Sequence, residues 1–315
     1  MTAPRALFDR LPRLADLVPF VELADGLPTP VEQLGDRLWV QRDDLTSSVY
    51  GGNKVRKLEF VLPVAQRRGG PVLTAGGTGS HHVVAAAAHG HRLGLEIEAV
   101  QYPQPETADV VRTRAALGDL GGVATARAPS PYTMPVVLAL RLARLAPRRP
   151  YLLWPGASTP VGALGHVSAG LELANAQLEE PDEVVVALGS GGTAVGLAIG
   201  LVMAGWRKTT VVGVRVADAV ANNRAVLGAI GAGTTAILTL GGWRPRPARL
   251  RIDGRWFGDG YGHPTAAGDD AMVAGAAFGL DLEPTYTAKA FAAALDRVRR
   301  GRRVLFVQTF AGWHR

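Results

Sequence analysis

Gly51, Gly52, Asn53 and Lys54 run directly into Val55, Arg56 and Lys57, at the mouth of a helix predicted over residues 57–67. Two glycines let backbone approach a ligand closely. A lysine near a helix N-terminus and near other cations holds its proton less tightly, because both disfavour the ammonium form. The neutral amine that results is what Schiff-base chemistry with a carbonyl requires. Taken alone, the same pattern fits a solvated lysine at the start of a helix.

Two further segments share a strand–turn–helix pattern. Gly189, Ser190, Gly191, Gly192 and Thr193 follow a run of buried-strand character and precede an apolar helical run. That arrangement points free backbone N–H groups and the positive helix end at a phosphate. The spacing is not that of a P-loop, and the next strand, 210–216, lacks the acidic end of a dinucleotide site. A cup for a single phosphate is the expectation. Gly76, Gly77, Thr78, Gly79, Ser80, His81 and His82 form the other segment, whose amides are suited to a carboxylate with Ser80 beside it. The adjacent histidines diverge by about 100° on a helix, and no HExxH-type spacing accompanies them, so no metal site is expected.

The elements that must position these segments are alternating strands and alanine-rich helices. Strands are predicted at 71–75, 96–102, 122–126, 151–154, 183–188, 210–216 and 303–308. Helices are predicted at 83–93, 108–117, 134–145, 162–178 and 193–204. Such alternation builds parallel sheets with helices on both faces, an α/β fold. Residues 145–150 and 241–262 read as long connections. The chain has no cysteine, which excludes disulfides, thiolate metal sites and a cysteine nucleophile. Its 34 Lys and Arg against 27 Asp and Glu give a formal charge of +7. The basic clusters at 148–149 and 299–303 have no interleaved aromatics, so a solvated basic face is expected and nucleic acid is not a partner. No apolar stretch reaches membrane-spanning length. Residues 1–20 lack the compact apolar core of a secretory signal, so a cytoplasmic protein is expected.

Taken together, the string Arg42-Asp43-Asp44-Leu45-Thr46 and then residues 51–57 resemble the D-cysteine desulfhydrase and 1-aminocyclopropane-1-carboxylate deaminase family. Its members are fold-type II pyridoxal 5′-phosphate (PLP) enzymes, similar in architecture to the tryptophan synthase β subunit. The resemblance continues in order through residues 79–82, 158–162, 189–193, Tyr261-Gly262 and 284–289. It implies two α/β lobes, with 51–165 the smaller and 1–50 with 166–315 the larger, and a homodimer. It implies that Lys54 holds PLP and moves the α-proton. Lys57 and residues 189–193 would hold the phosphate, with Asn53 beside the ring or phosphate. Ser80 and its neighbours Gly79, His81 and His82 would receive the substrate carboxylate. Tyr261 and Tyr286 would line the substrate side, and Thr287 would partner the pyridine nitrogen. Threonine there, where ring-opening members carry glutamate, favours β-elimination from a small amino acid such as D-cysteine.

Three departures accompany the resemblance. His81 stands at a cofactor-contacting position where asparagine is usual, and His166 where tyrosine is common. Thr309-Phe310-Ala311-Gly312-Trp313 replaces a Thr-Gly-Gly turn and a final helix. They keep open β-replacement, deamination of an unusual amino acid, or a non-catalytic PLP- or amino-acid-binding role.

Overall fold

The computed structural model describes residues 5–176 and 178–310. After two short helices, α1 (Ala6–Arg10) and α2 (Leu14–Leu17), the strands β1 (Val31–Gly35) and β2 (Leu38–Gln41) pair antiparallel. Then come α3 (Lys54–Arg68), β3 (Val72–Gly77), α4 (His81–Arg92), β4 (Ile97–Tyr102), α5 (Ala108–Leu120), β5 (Ala124–Arg127), α6 (Met134–Leu145) and β6 (Tyr151–Leu152). The chain continues through α7 (Pro160–Asn175), β7 (Glu183–Leu188), α8 (Gly192–Ala204), β8 (Thr210–Arg215), α9 (Arg224–Leu240) and β9 (Leu250–Asp253). It closes with α10 (Ala266–Ala277), α11 (Thr287–Arg299) and β10 (Val304–Val307).

The strands form two sheets. One has the order β5-β4-β3-β6 and is parallel throughout. The other has the order β1-β2-β10-β7-β8-β9, parallel apart from the β1–β2 pair. Every residue of β3 and of β7 is buried, as strands covered on both faces require. The two glycine-rich segments leave the C-terminal ends of these two strands, the end at which open parallel sheets bind ligands. The last strand, β10, inserts between β2 and β7, so the residues after it emerge beside the glycine turn that follows β7.

Each sheet has its own core. Leu164, Val167 and Leu171 of α7 join Leu197 and Leu201 of α8 beneath the larger sheet, and Leu7 and Leu14 from the N-terminus join them. Val55, Leu58 and Leu62 of α3 join Val83 and Val84 of α4 beneath the smaller one, together with Leu23, Ala24 and Tyr50. Buried Glu59 of α3 fastens the N-terminal segment, accepting hydrogen bonds from the amides of Leu23 and Ala24 and pairing with Arg5.

The structure corrects the sequence expectations at several places. Helix α3 starts at Lys54, three residues before the predicted start, so Lys54 is itself the first helical residue. Residues 241–262 are interrupted by β9, and residues 145–150 hold a short 3-10 turn, Ala146–Arg148. Helices α9, α10 and α11 occur where none is expected. In α9, three glycines and several β-branched residues lower intrinsic helicity, and the buried face of Leu227, Ile230 and Leu238 outweighs that cost. The available signals were the caps: Asn223 Oδ1 accepts from the amides of Ala225 and Val226, and Thr265 Oγ1 accepts from Gly268.

Candidate active site

Lys54 is half-buried in the cleft, and its ammonium nitrogen lies 5.3 Å from the centre of the Tyr286 ring. Burial lowers its pKa to about 8 against the opposing pull of Glu283, so a substantial neutral fraction exists near physiological pH. The helix that carries it is anchored from below. Arg56 binds Asp43 at 2.9 Å and Glu172 at 2.9 Å, tying the 42–46 string to α3 and α7. Burial alone would raise the Asp43 carboxyl, yet Arg56 with His166 holds it at about 2. His166 Nε2 stands 3.7 Å from Asp43 Oδ2, beyond hydrogen-bond length, and burial pushes this imidazole down to about 4.

One end of the site is a polar cup. Gly191 caps α8 with φ +92°, and a Cβ there would lie 2.2 Å from Leu227 Cδ2, so only glycine fits this turn. Ser158 is the hub: its hydroxyl accepts from the Gly192 amide at 3.1 Å and meets Ser190 Oγ at 2.7 Å and Lys57 Nζ at 3.4 Å. Asn53 donates to Thr193 Oγ1 at 2.8 Å, while its Oδ1 has no protein partner among the described residues. Asn222 holds the turn from behind, donating to the carbonyls of Gly189 and Ala217. Burial, and then the charge of Lys54, push the Lys57 ammonium well below its ordinary range. A buried amine whose ammonium form lacks a carboxylate partner among the described residues, beside two hydroxyls at the start of α8, is complementary to a phosphate.

The opposite end is wired differently. The amides of Thr78, Gly79 and Ser80 are already bonded, to Tyr102 O, Gln104 Oε1 and Gly77 O respectively. The amides of His81 and His82, in the first turn of α4, have no acceptor one turn earlier in the helix. Ser80 caps the helix without a side-chain capping bond, and its hydroxyl sits over Gly76, where a Cβ would approach it to 2.4 Å. The two histidines diverge. His82 Nε2 bonds Thr74 Oγ1 at 2.9 Å, and burial, with Lys57 and Lys54, drives its pKa down to about 3. His81 turns to Tyr50 and Asp109.

The third wall carries two tyrosines. Tyr261 and Tyr286 share a 2.7 Å hydroxyl–hydroxyl bond, and burial raises both phenols above their ordinary range. Lys289 of α11 holds the loop before Tyr261 by donating to Phe257 O at 2.8 Å. Thr287 is fully buried and its hydroxyl is committed to Glu283, accepting from that residue's amide at 2.9 Å. Glu283 in turn accepts the amides of Thr285, Tyr286 and Thr287 with its carboxylate.

These groups converge on one cleft of about 420 Å³. Of the residues to which the resemblance gives a cofactor or substrate role, Gly79, Gly192 and Thr287 do not line it and the others do; Gly51, Gly52, Gly77, Thr78 and His166 also lie outside its wall. Residues that sequence reasoning left without a role support the cleft or, in the case of Thr309, line it. Ser158 sits just before the Thr159 cap and Pro160 of α7, a legible helix-start signal. Thr309 reaches the cleft wall after β10. Glu283, Tyr50 and Asp109 carried no local signal. Residues 311–313 of the C-terminal departure lie outside the described residues.

Comparison with known proteins gives a consistent picture. A family model described as pyridoxal-phosphate dependent enzyme matches residues 23–309. D-cysteine desulfhydrase from Salmonella schwarzengrund is 34% identical over 306 residues, covering 90% of this chain and 92% of the relative. The enzyme of the same name from Salmonella typhimurium matches to the same extent. Among solved structures, an ACC deaminase homologue superposes with a TM-score of 0.80 at 27% identity, covering 98% of this chain and 95% of its own. Threonine deaminase isoform 2 of Solanum lycopersicum shares the fold, with a TM-score of 0.65 at 16% identity, covering 99% of this chain and 91% of its own.

Proposed function

Because the chain belongs to the pyridoxal-phosphate dependent enzyme family, we propose that it is a lyase that eliminates the β-substituent of a small amino acid, releasing an α-keto acid and ammonia. The observation that carries this reading is Lys54: a cleft-lining amine with its pKa lowered to about 8, set between a phosphate-suited cup and a serine at a helix N-terminus. The residues fit PLP on two counts. Lys57 Nζ reaches the cup at Ser158, where its ammonium form gains an anionic partner, and the glycines of the turn leave room where side chains would fill it. When bound, PLP supplies an electron sink that acidifies the α-carbon of the amino acid attached to it.

The chain's own residues divide the remaining work. Lys57, Ser158, Ser190, Thr193 and the amides of the 189–193 turn hold the phosphate, and Asn53 braces Thr193. Lys54 accepts and returns the α-proton at Nζ, for which a pKa near the working pH is the best compromise. Ser80 and the first-turn amides of α4 orient the substrate carboxylate. Tyr261 and Tyr286, kept protonated by burial, offer toward a departing group the one phenolic proton that their mutual bond leaves unused. Thr309, rather than the occupied Thr287, gives the cleft a hydroxyl suited to a ring nitrogen.

D-cysteine is the first substrate to try, because the relatives at 34% identity are named for it. Protein loaded with PLP is to be offered D-cysteine, β-chloro-D-alanine, D-serine and their L-enantiomers, with keto acid and ammonia measured. Stoichiometric PLP with no keto acid from any of them overturns the lyase reading. The lobe division at 51–165 is supported by the smaller sheet, whose four strands all fall within residues 72–152. The cytoplasmic location rests on the character of residues 1–20 and the homodimer on the resemblance; both stay proposals, and sedimentation tests the dimer. No helix among the described residues is long and apolar enough to cross a membrane.

A further inference from the structure

His81 lines the cleft, yet both of its ring nitrogens are engaged away from it. Nδ1 lies 2.6 Å from Tyr50 Oη, and Nε2 lies 2.9 Å from Asp109 Oδ2, with Thr113 Oγ1 at 3.4 Å. Phe310 closes the arrangement, its ring 5.0 Å from the imidazole at 84°. Four separate parts of the chain therefore meet on one side chain: the loop before α3, the first turn of α4, α5, and the residues after β10. Burial and the nearby Asp109 raise the Tyr50 phenol far above its ordinary range, so it keeps its proton. A protonated phenol donating to Nδ1 leaves Nε2–H to donate to the Asp109 carboxylate, which fixes one tautomer. Asp109 sits in the first turn of α5, where the helix end favours its negative charge.

We propose that Tyr50 and Asp109 are positioning residues that lock His81 and thereby hold the first turn of α4, with Ser80 and the His81 and His82 amides, in place to bind the substrate carboxylate. The imidazole itself does not bind substrate; its contribution to the ligand is its backbone N–H. A flipped or mobile ring would break two buried hydrogen bonds and the Phe310 contact together, so the turn is pre-organised before a ligand arrives. Pre-organisation lowers the cost of binding without changing the reacting groups. Loss of the lock therefore appears in affinity and not in turnover. The inference rests on the carboxylate role given above to this turn.

The test uses PLP-loaded wild type, Tyr50→Phe, Asp109→Leu and His81→Asn, with three readings. His82 and His89 also donate from Nε2, to Thr74 Oγ1 and Tyr50 O, so the His81 signal in imidazole ¹⁵N spectra is assigned by its loss in His81→Asn. It should be a pure Nε2–H tautomer whose proton exchanges slowly in wild type and fast in Asp109→Leu, where the accepting oxygen is gone. Calorimetric titration with D-alanine, which has no leaving group, should show affinity at least fivefold weaker in Tyr50→Phe and Asp109→Leu, with PLP content unchanged. Where a substrate is turned over, KM should rise by the same factor and kcat stay within twofold. Tyr50→Phe should have no further effect in the His81→Asn background. Wild-type affinity for D-alanine in both single variants overturns the proposal, as does slow exchange of the His81 proton persisting in Asp109→Leu. PLP-loaded wild type that binds no D-alanine removes the amino-acid reading instead, and the tautomer signal still reports on the lock.

Discussion

The cup after β7 and the turn after β3 begin as the same device, a buried strand, glycines and the start of a helix, yet the protein completes them differently. In the cup, the Gly192 amide, Ser158, Ser190 and Lys57 converge on one point, and Gly191 is confined by Leu227. In the turn, Thr78, Gly79 and Ser80 spend their amides inside the protein, and the imidazole after them is tied down by Tyr50 and Asp109. The first is built from backbone and suits a ligand that never changes. The second is set by side chains brought from distant parts of the chain, where a change of residue can retune what is bound. A glycine turn at the end of a parallel strand thus says that something anionic is held there, while its side-chain surroundings say how selectively.

Lys54 serves both ends, and its loss has the largest effect. Lys54→Ala should abolish the visible absorbance of the bound cofactor and cut keto-acid release by at least about 10³-fold. A variant that keeps both would detach the cup and the turn from any common chemistry.

The next two tests separate the ends. Gly191→Ala introduces a Cβ 2.2 Å from Leu227 Cδ2 at a residue with φ +92°, and should weaken PLP affinity at least about tenfold. Equal weakening by Gly79→Ala, measured by equilibrium dialysis, would erase the distinction between the two turns. The amine that links them should also show its depressed pKa. With Lys54 at about 8, the neutral fraction rises about tenfold between pH 7 and pH 9, and the rate of PLP capture by cofactor-free protein should rise with it. A flat rate over that range would place Lys54 in a different electrostatic setting.

The smallest effect lies beneath the site. Unfolded, the His166 imidazole titrates near its ordinary value; folded, burial holds it at about 4. The folded state thus binds fewer protons between these values, so stability is retained above pH 6.5 and lost as pH falls toward 4. About 2 kcal/mol of that loss falls between pH 7 and 5. His166→Phe should flatten this part of the stability–pH curve in urea melts while leaving PLP and D-alanine affinities alone. Altered D-alanine affinity would extend the substrate end down to the Asp43–Arg56 pair.

The legible part of this protein was local. The α/β class followed from alternating strand and helix patterns, and the three ligand-facing segments followed from glycines placed between a buried strand and a helix. Such signals sit within a few consecutive residues, where backbone sterics and helix ends act directly. Helix α9 escaped because its glycines and β-branched residues argue against helix until packing is included.

By itself, then, the sequence placed Lys54 at a helix start, a phosphate-suited turn after a buried strand, and a serine before a second helix. Only the tertiary structure decided what surrounds them. Tyr50 and Asp109 lie 31 and 28 residues from His81 and meet it through the packing of α3, α4 and α5. Thr309 and Phe310 reach the cleft because β10 inserts between β2 and β7. Thr287 turns to Glu283 because that carboxylate gathers the free amides at the start of α11. Strand order and the rotation of one helix against another are set by the sum of many weak packing contacts across the whole core, and no short stretch of residues encodes that sum.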